Sequence, residues 1–155
     1  MRITFHVLLL AFILICSNPL FADELFQINS GITGTWYNPN TSGQGMLIEV
    51  LPNQKLIFLA WFTYADESTD QQNEWWTALG SYQDNKSSLL ITETNGGFFN
   101  QTSDIENTAI GQMVLSFIDC DHASVDFNFI QSNKSGHIQL QRLVPDQLCE
   151  SLSDE

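Results

Sequence analysis

Cationic side chains are scarce in this chain. Five Lys and Arg stand against 18 Asp and Glu, for a net charge of −13. Nucleic acid and anionic lipid both need cationic patches, so neither is expected as a partner. Histidine is also sparse, with only His6, His122 and His137. None of the three sits at a metal-ligand or triad spacing. The sequence has no Gly-x-Ser-x-Gly, no phosphate-binding glycine loop and no His-Glu-x-x-His. These gaps leave no catalytic set, no metal site and no cofactor to nominate. Beyond residue 22 there is no long apolar run, so no membrane-spanning helix is expected there.

The first residues do carry an apolar run. Met1-Arg2 opens with a positive charge, Val7 to Cys16 is apolar throughout, and Ser17-Asn18-Pro19 breaks the pattern before Ala22. This is the layout of a secretory signal peptide, with cleavage expected near Ala22. The run is too short to remain as a spanning helix, which needs about 20 apolar residues. Residues 1–22 are therefore expected to be a leader and residues 23–155 one domain, with its core in about residues 31–145. A secreted or periplasmic location follows, without stable membrane insertion. Loss of Arg2 with the leader takes the net charge from −13 to −14, which suits solubility outside the cell.

Two cysteines follow the leader, Cys120 and Cys149. In an exported chain such a pair is expected to form a disulfide.

No helix-period stretch of useful length follows Ala22. Strand signals recur instead, rich in β-branched and aromatic residues. Eight are read: residues 33–38, 44–51, 55–64, 74–82, 87–94, 108–118, 123–131 and 136–144. Val125, Phe127 and Phe129 alternate with Ser124, Asp126 and Asn128, the pattern of a half-buried strand. The third strand is apolar at both parities, from Leu56 to Trp61, so both its faces are expected to be covered. Short joints with turn chemistry, such as Asp84-Asn85, favour an antiparallel up-and-down meander. Eight strands is the number at which such a sheet closes into a barrel. The expected fold is all-β and barrel-like, with a two-sheet sandwich as the competing architecture.

The segment Gly31-Ile32-Thr33-Gly34-Thr35-Trp36-Tyr37-Asn38 resembles the first strand of the avidin family, and Gly34-x-Trp36 resembles the lipocalin opening. In such calycin-like barrels the Trp plugs one end beside a cationic side chain of the last strand. Arg142 lies on the last strand read here and is the only Arg after the leader. The resemblance thus implies contact between Trp36 and Arg142, a cation–π pair. It also implies two ligand positions at the mouth, Asn38 and Ser42. The later Trp residues and the late Asp of the avidin biotin site have no counterpart, so biotin is only weakly implied. Over more of its length the chain resembles a family of short secreted proteobacterial β domains of unassigned function. The residues that match are Gly34 to Gly45, Trp61-Phe62-Thr63-Tyr64, Trp75-Trp76 and Gly96-Gly97.

Trp61, Tyr64, Trp75 and Trp76 add aromatic candidates for stacking on a sugar ring or an apolar partner. Adjacent residues of a strand point to opposite faces, so only one of Trp75 and Trp76 can face inward. The acidic loop Asp66-Glu67-Ser68-Thr69-Asp70, with Glu74, offers oxygen atoms to Ca²⁺, or is simply solvated. The expected function is an exported, non-enzymatic module binding a small molecule, glycan or protein, first at the mouth near Asn38, Ser42, Tyr64 and the loop Ala65–Asn73. Two alternatives stand beside it. One is a carbohydrate-active or other hydrolytic enzyme with paired carboxylates. The other is a structural or envelope-associated protein without a ligand.

Overall fold

The computed structural model describes residues 25–65 and 73–153. The expected leader and most of the acidic loop, residues 66–72, lie outside the described residues. Eight strands follow one another: β1 (Gly34–Tyr37), β2 (Gly45–Leu51), β3 (Leu56–Thr63), β4 (Glu74–Gln83), β5 (Lys86–Asn95), β6 (Glu106–Phe117), β7 (His122–Phe129) and β8 (Ser135–Arg142). Each pairs antiparallel with the next, and β8 returns to pair with β1, closing an up-and-down barrel. The sandwich alternative is set aside by this closure. At the seam Trp36 stands opposite Arg142 and Tyr37 opposite Gln141.

The turns follow from their residues. Asp84 holds the left-handed conformation (φ 52°) in the two-residue turn between β4 and β5, a geometry Asp and Asn tolerate better than other side chains. Asn133 does the same (φ 54°) before β8. Gly80 is required in mid-strand. A Cβ there would lie 1.8 Å from the carbonyl oxygen of Ser88, so the β4 and β5 backbones can approach only because it is absent. A β-bulge in the β5–β6 ladder, between Ile91 and Thr92, bends the wall further along.

Alternation sorts the side chains. Ile48, Ile57, Leu59, Ala78, Ile91, Met113, Leu115 and Val125 point inward and form one buried core. The outer wall carries Glu49, Gln112, Asp126, His137 and Gln139 among its exposed residues. The expectation that both faces of β3 are covered is corrected. Ile57, Leu59 and Trp61 are buried, but Phe62, on the other face, is 45 % exposed. A closed barrel has one interior, so the second face of every strand looks outward.

The tail is also more ordered than its sequence suggests. Gln147–Ser153 forms a short helix, α1. Seven residues do not hold a helix alone in water. Here the Cys120–Cys149 disulfide pins it to the β6–β7 turn (Cα–Cα 5.7 Å). The Asp146 carboxylate accepts from the Leu148 amide (2.8 Å), and Asn29 donates to the Cys149 carbonyl. A disulfide of this kind fits an extracellular or periplasmic protein. No helix among the described residues is long and apolar enough to cross a membrane.

Candidate functional site

The two ends of the barrel differ. One end is sealed. The segment before β1 makes a single 3-10 turn, Ser30–Ile32, across the opening, and Ile28 and Ile32 enter the core. Trp36 is fully buried there, its indole nitrogen donating to the Ile32 carbonyl (3.1 Å), its ring edge-on to Phe117. The buried Arg142 guanidinium lies 4.8 Å from the centroid of the Trp36 ring, the contact expected from the sequence. Arg142 also donates to three backbone carbonyls: Nε to Cys120 (2.8 Å), Nη1 to Thr33 (3.3 Å) and Nη2 to Gly31 (2.7 Å). Asp121 Oδ1, buried and with no hydrogen bond among the described residues, sits 3.8 Å from Nε. Burial pulls the guanidinium below its ordinary pKa, while Asp146 and Asp121 pull it back up. One arginine therefore ties the segment before β1, the β6–β7 turn and the last strand together.

The β6–β7 turn carries its own anchor. Asp119 Oδ1 accepts from the amides of Asp121 and His122 (both 2.7 Å), and the His122 ring lies 3.0 Å away. Partial burial pushes the Asp119 carboxyl up. The hydrogen bonds from the Asp121 amide and from the His122 ring and amide, with the charge on that ring, outweigh it and hold the pKa below its ordinary value.

The opposite end is open. Moving outward along the lumen, the aliphatic core gives way to an aromatic layer. Trp61 of β3 stands opposite Trp76 of β4 in the ladder, with ring centroids 5.1 Å apart. Across the lumen Trp61 meets Phe127 (5.3 Å) and Phe129 (6.1 Å, stacked) of β7, and Trp76 meets Phe129 (4.9 Å). Four rings from three strands thus span the barrel and form a floor beneath the mouth. Eight strands enclose only enough room for side chains, and here rings use that room.

Two clefts open above this floor and share Trp61 and Phe127. The larger, of about 700 Å³, is lined by the floor rings with Tyr64, Glu74, Glu93, Ile110, Gln131, Ser132 and Lys134. The smaller, of about 300 Å³, adds Asn38, Thr41, Gln44, Met46 and Leu140. Polar atoms rim both. Thr63 donates to Gln44 Oε1 (2.6 Å), and Glu93 Oε2 accepts from Asn95 (2.9 Å). The wall between β1 and β2 is fitted to Tyr64. Gly43 is left-handed (φ 76°), and a Cβ on it would lie 2.1 Å from the Tyr64 hydroxyl oxygen.

The residues nominated from the sequence divide accordingly. Trp36 and Arg142 close the base, and Cys120 and Cys149 are bridged. Trp61 and Trp76 belong to the floor, Tyr64 (51 % exposed) stands on the larger cleft, and Asn38 lines the smaller one. Ser42 is exposed in the β1–β2 turn and lines neither cleft. Trp75 points outward, 53 % exposed, beside Phe62 in the ladder. Phe127, Phe129 and Glu93 complete the mouth and were not singled out from sequence as site residues; Glu74, a calcium-ligand candidate from the sequence, lines the larger cleft. The parity of β7 already places its two rings inward, but their height in the barrel depends on register. Among the described residues no group of three or more His, Cys, Asp and Glu is placed to hold a metal ion. Of the residues in the calcium reading, Asp66 to Asp70 lie outside those described, and Glu74 lines the larger cleft. No family model, curated protein or solved structure matches this chain.

Proposed function

We propose that this protein is an exported, non-enzymatic binding module that takes a small ligand at the open mouth of its barrel. One observation supports this above all: an aromatic floor lies beneath a polar rim at the open end, with clefts of about 300 and 700 Å³ above it. Apolar surface with a few convergent polar groups is the usual composition of a ligand site. The bridged cysteines agree with export.

The test is a thermal-shift screen of the purified protein against sugars, lipids, amines, biotin and Ca²⁺. A ligand present at a hundred times its Kd stabilises a one-site protein by about 2.7 kcal/mol, an easily read shift. The shift should vanish in Phe129→Ala and persist in Trp75→Ala, because only the first residue lines the mouth. A ligand that stabilises both variants equally binds elsewhere and contradicts this reading.

A second reading has its own observation. Leu47, Phe62, Trp75, Leu79 and Leu90 are half exposed on the outer wall of β2–β5, a surface suited to a partner protein. It predicts that Trp75→Ala and Leu79→Ala weaken association while Phe129→Ala does not.

A further inference from the structure

The mouth combines two kinds of group that together select for charge. Its floor presents the rings of Trp61, Trp76, Phe127 and Phe129 to the larger cleft. Aromatic faces carry negative quadrupole density and attract cations, Trp most strongly. The wall of the same cleft holds two carboxylates, Glu74 and Glu93, against one ammonium, Lys134. Glu93 follows the inward parity of Ile91 and lines the same cleft, its carboxylate accepting an exposed hydrogen bond from Asn95.

We propose that the ligand of the mouth is a small organic cation, an amine or quaternary ammonium compound. This rests on the reading of the mouth as a ligand site and narrows it. An anion would meet two carboxylates and the field of a protein with net charge −13. A neutral sugar could stack on the floor but would gain nothing from that field. A cation gains from ring faces, carboxylates and long-range attraction together, the last through a raised local concentration at the mouth.

The experiment compares choline with 3,3-dimethyl-1-butanol, its uncharged isostere in which carbon replaces nitrogen. Binding to the purified protein is followed by calorimetry and tryptophan fluorescence at low ionic strength, with a panel of neutral sugars in parallel. Choline should bind at least about tenfold more tightly than the isostere. Glu93→Gln should weaken choline by about three- to tenfold and leave the isostere unchanged, with an unaltered melting temperature showing that the fold is intact. Equal affinity for choline and the isostere overturns the cation assignment but leaves the mouth as an apolar ligand site. Binding of a sugar without choline has the same effect and names the sugar as the ligand. If none of these binds and the thermal-shift screen is silent too, the cation assignment and the mouth reading fail together.

Discussion

Replacing Arg142 tests how the barrel is closed. The guanidinium serves three carbonyls and one indole face from a buried position. Arg142→Met keeps much of the side-chain length and removes every donor. Hydrogen bonds to charged donors contribute about 1.5–3 kcal/mol each, and stranded buried acceptors cost about 1–3 kcal/mol. The three bonds share one residue and are not additive, and the desolvation cost of the guanidinium is recovered when it is removed. A net loss of about 4 kcal/mol is expected, the middle of the range for breaking a buried charge network. For a domain of this size that lowers the melting temperature by about 12–20 °C. Arg142→Lys keeps a charge, but a single ammonium cannot reproduce the planar fork or its stacking, so about 2 kcal/mol should still be lost. Urea unfolding followed by near-ultraviolet circular dichroism measures both. A double-mutant cycle with Trp36→Leu should give a coupling of about 1–2 kcal/mol. If Arg142→Met costs under about 1 kcal/mol, or the coupling is nil, the plug does not hold the barrel shut and this account of its base is wrong.

Three further outcomes are expected. Cys120→Ser with Cys149→Ser opens a long loop and should cost about 3–4 kcal/mol by loop entropy; amide exchange should then show α1 frayed while β2–β5 stay protected. Asp119→Asn should be less stable than the parent at neutral pH, by under about 1 kcal/mol given the exposure of the pair. Because the folded pKa of Asp119 is depressed, its contribution is present above its unfolded pKa of about 3.9 and lost as pH falls through the folded value, so melting curves of the two proteins should converge at lower pH. Gly80→Ala forces a methyl into the Ser88 carbonyl and should cost about 3 kcal/mol or more, read as a lowered urea midpoint.

The barrel was legible in the sequence because two signals agreed. Short polar joints favoured a meander over crossovers, and period-two alternation in β7 and β8 set one face against the other. The Trp36–Arg142 contact was legible through the resemblance of Gly34-x-Trp36 to known barrel openings, together with the uniqueness of Arg142. The floor of the mouth was not. Trp61 and Trp76 stood out as tryptophans, but their meeting with Phe127 and Phe129 crosses the lumen from β3 and β4 to β7. No local pattern encodes a contact across a closed sheet. It depends on the stagger accumulated over the intervening ladders, including the bulge at Ile91/Thr92. Ser42 was misleading for a related reason. A match in a turn carries a residue type without the turn's conformation, and the chain there bends around Gly43 to meet Tyr64. The tail helix escaped notice because its order comes from a cross-link and two side-chain bonds, not from its own propensity.

Ring closure has one more consequence. Among the described residues every strand pairs with two neighbours, so few backbone edges are left on which another chain could add a strand; the exception is Ser135–Leu140 of β8, which pairs with β7 but registers with no residue of β1. The weak point of the ring is the seam between β1 and β8, which registers only two residue pairs where most other ladders register seven or more. Parting that seam would free the rest of the β8 edge. The residue standing across it from Trp36 is Arg142, so the side chain that caps the lumen also guards the ladder most easily opened.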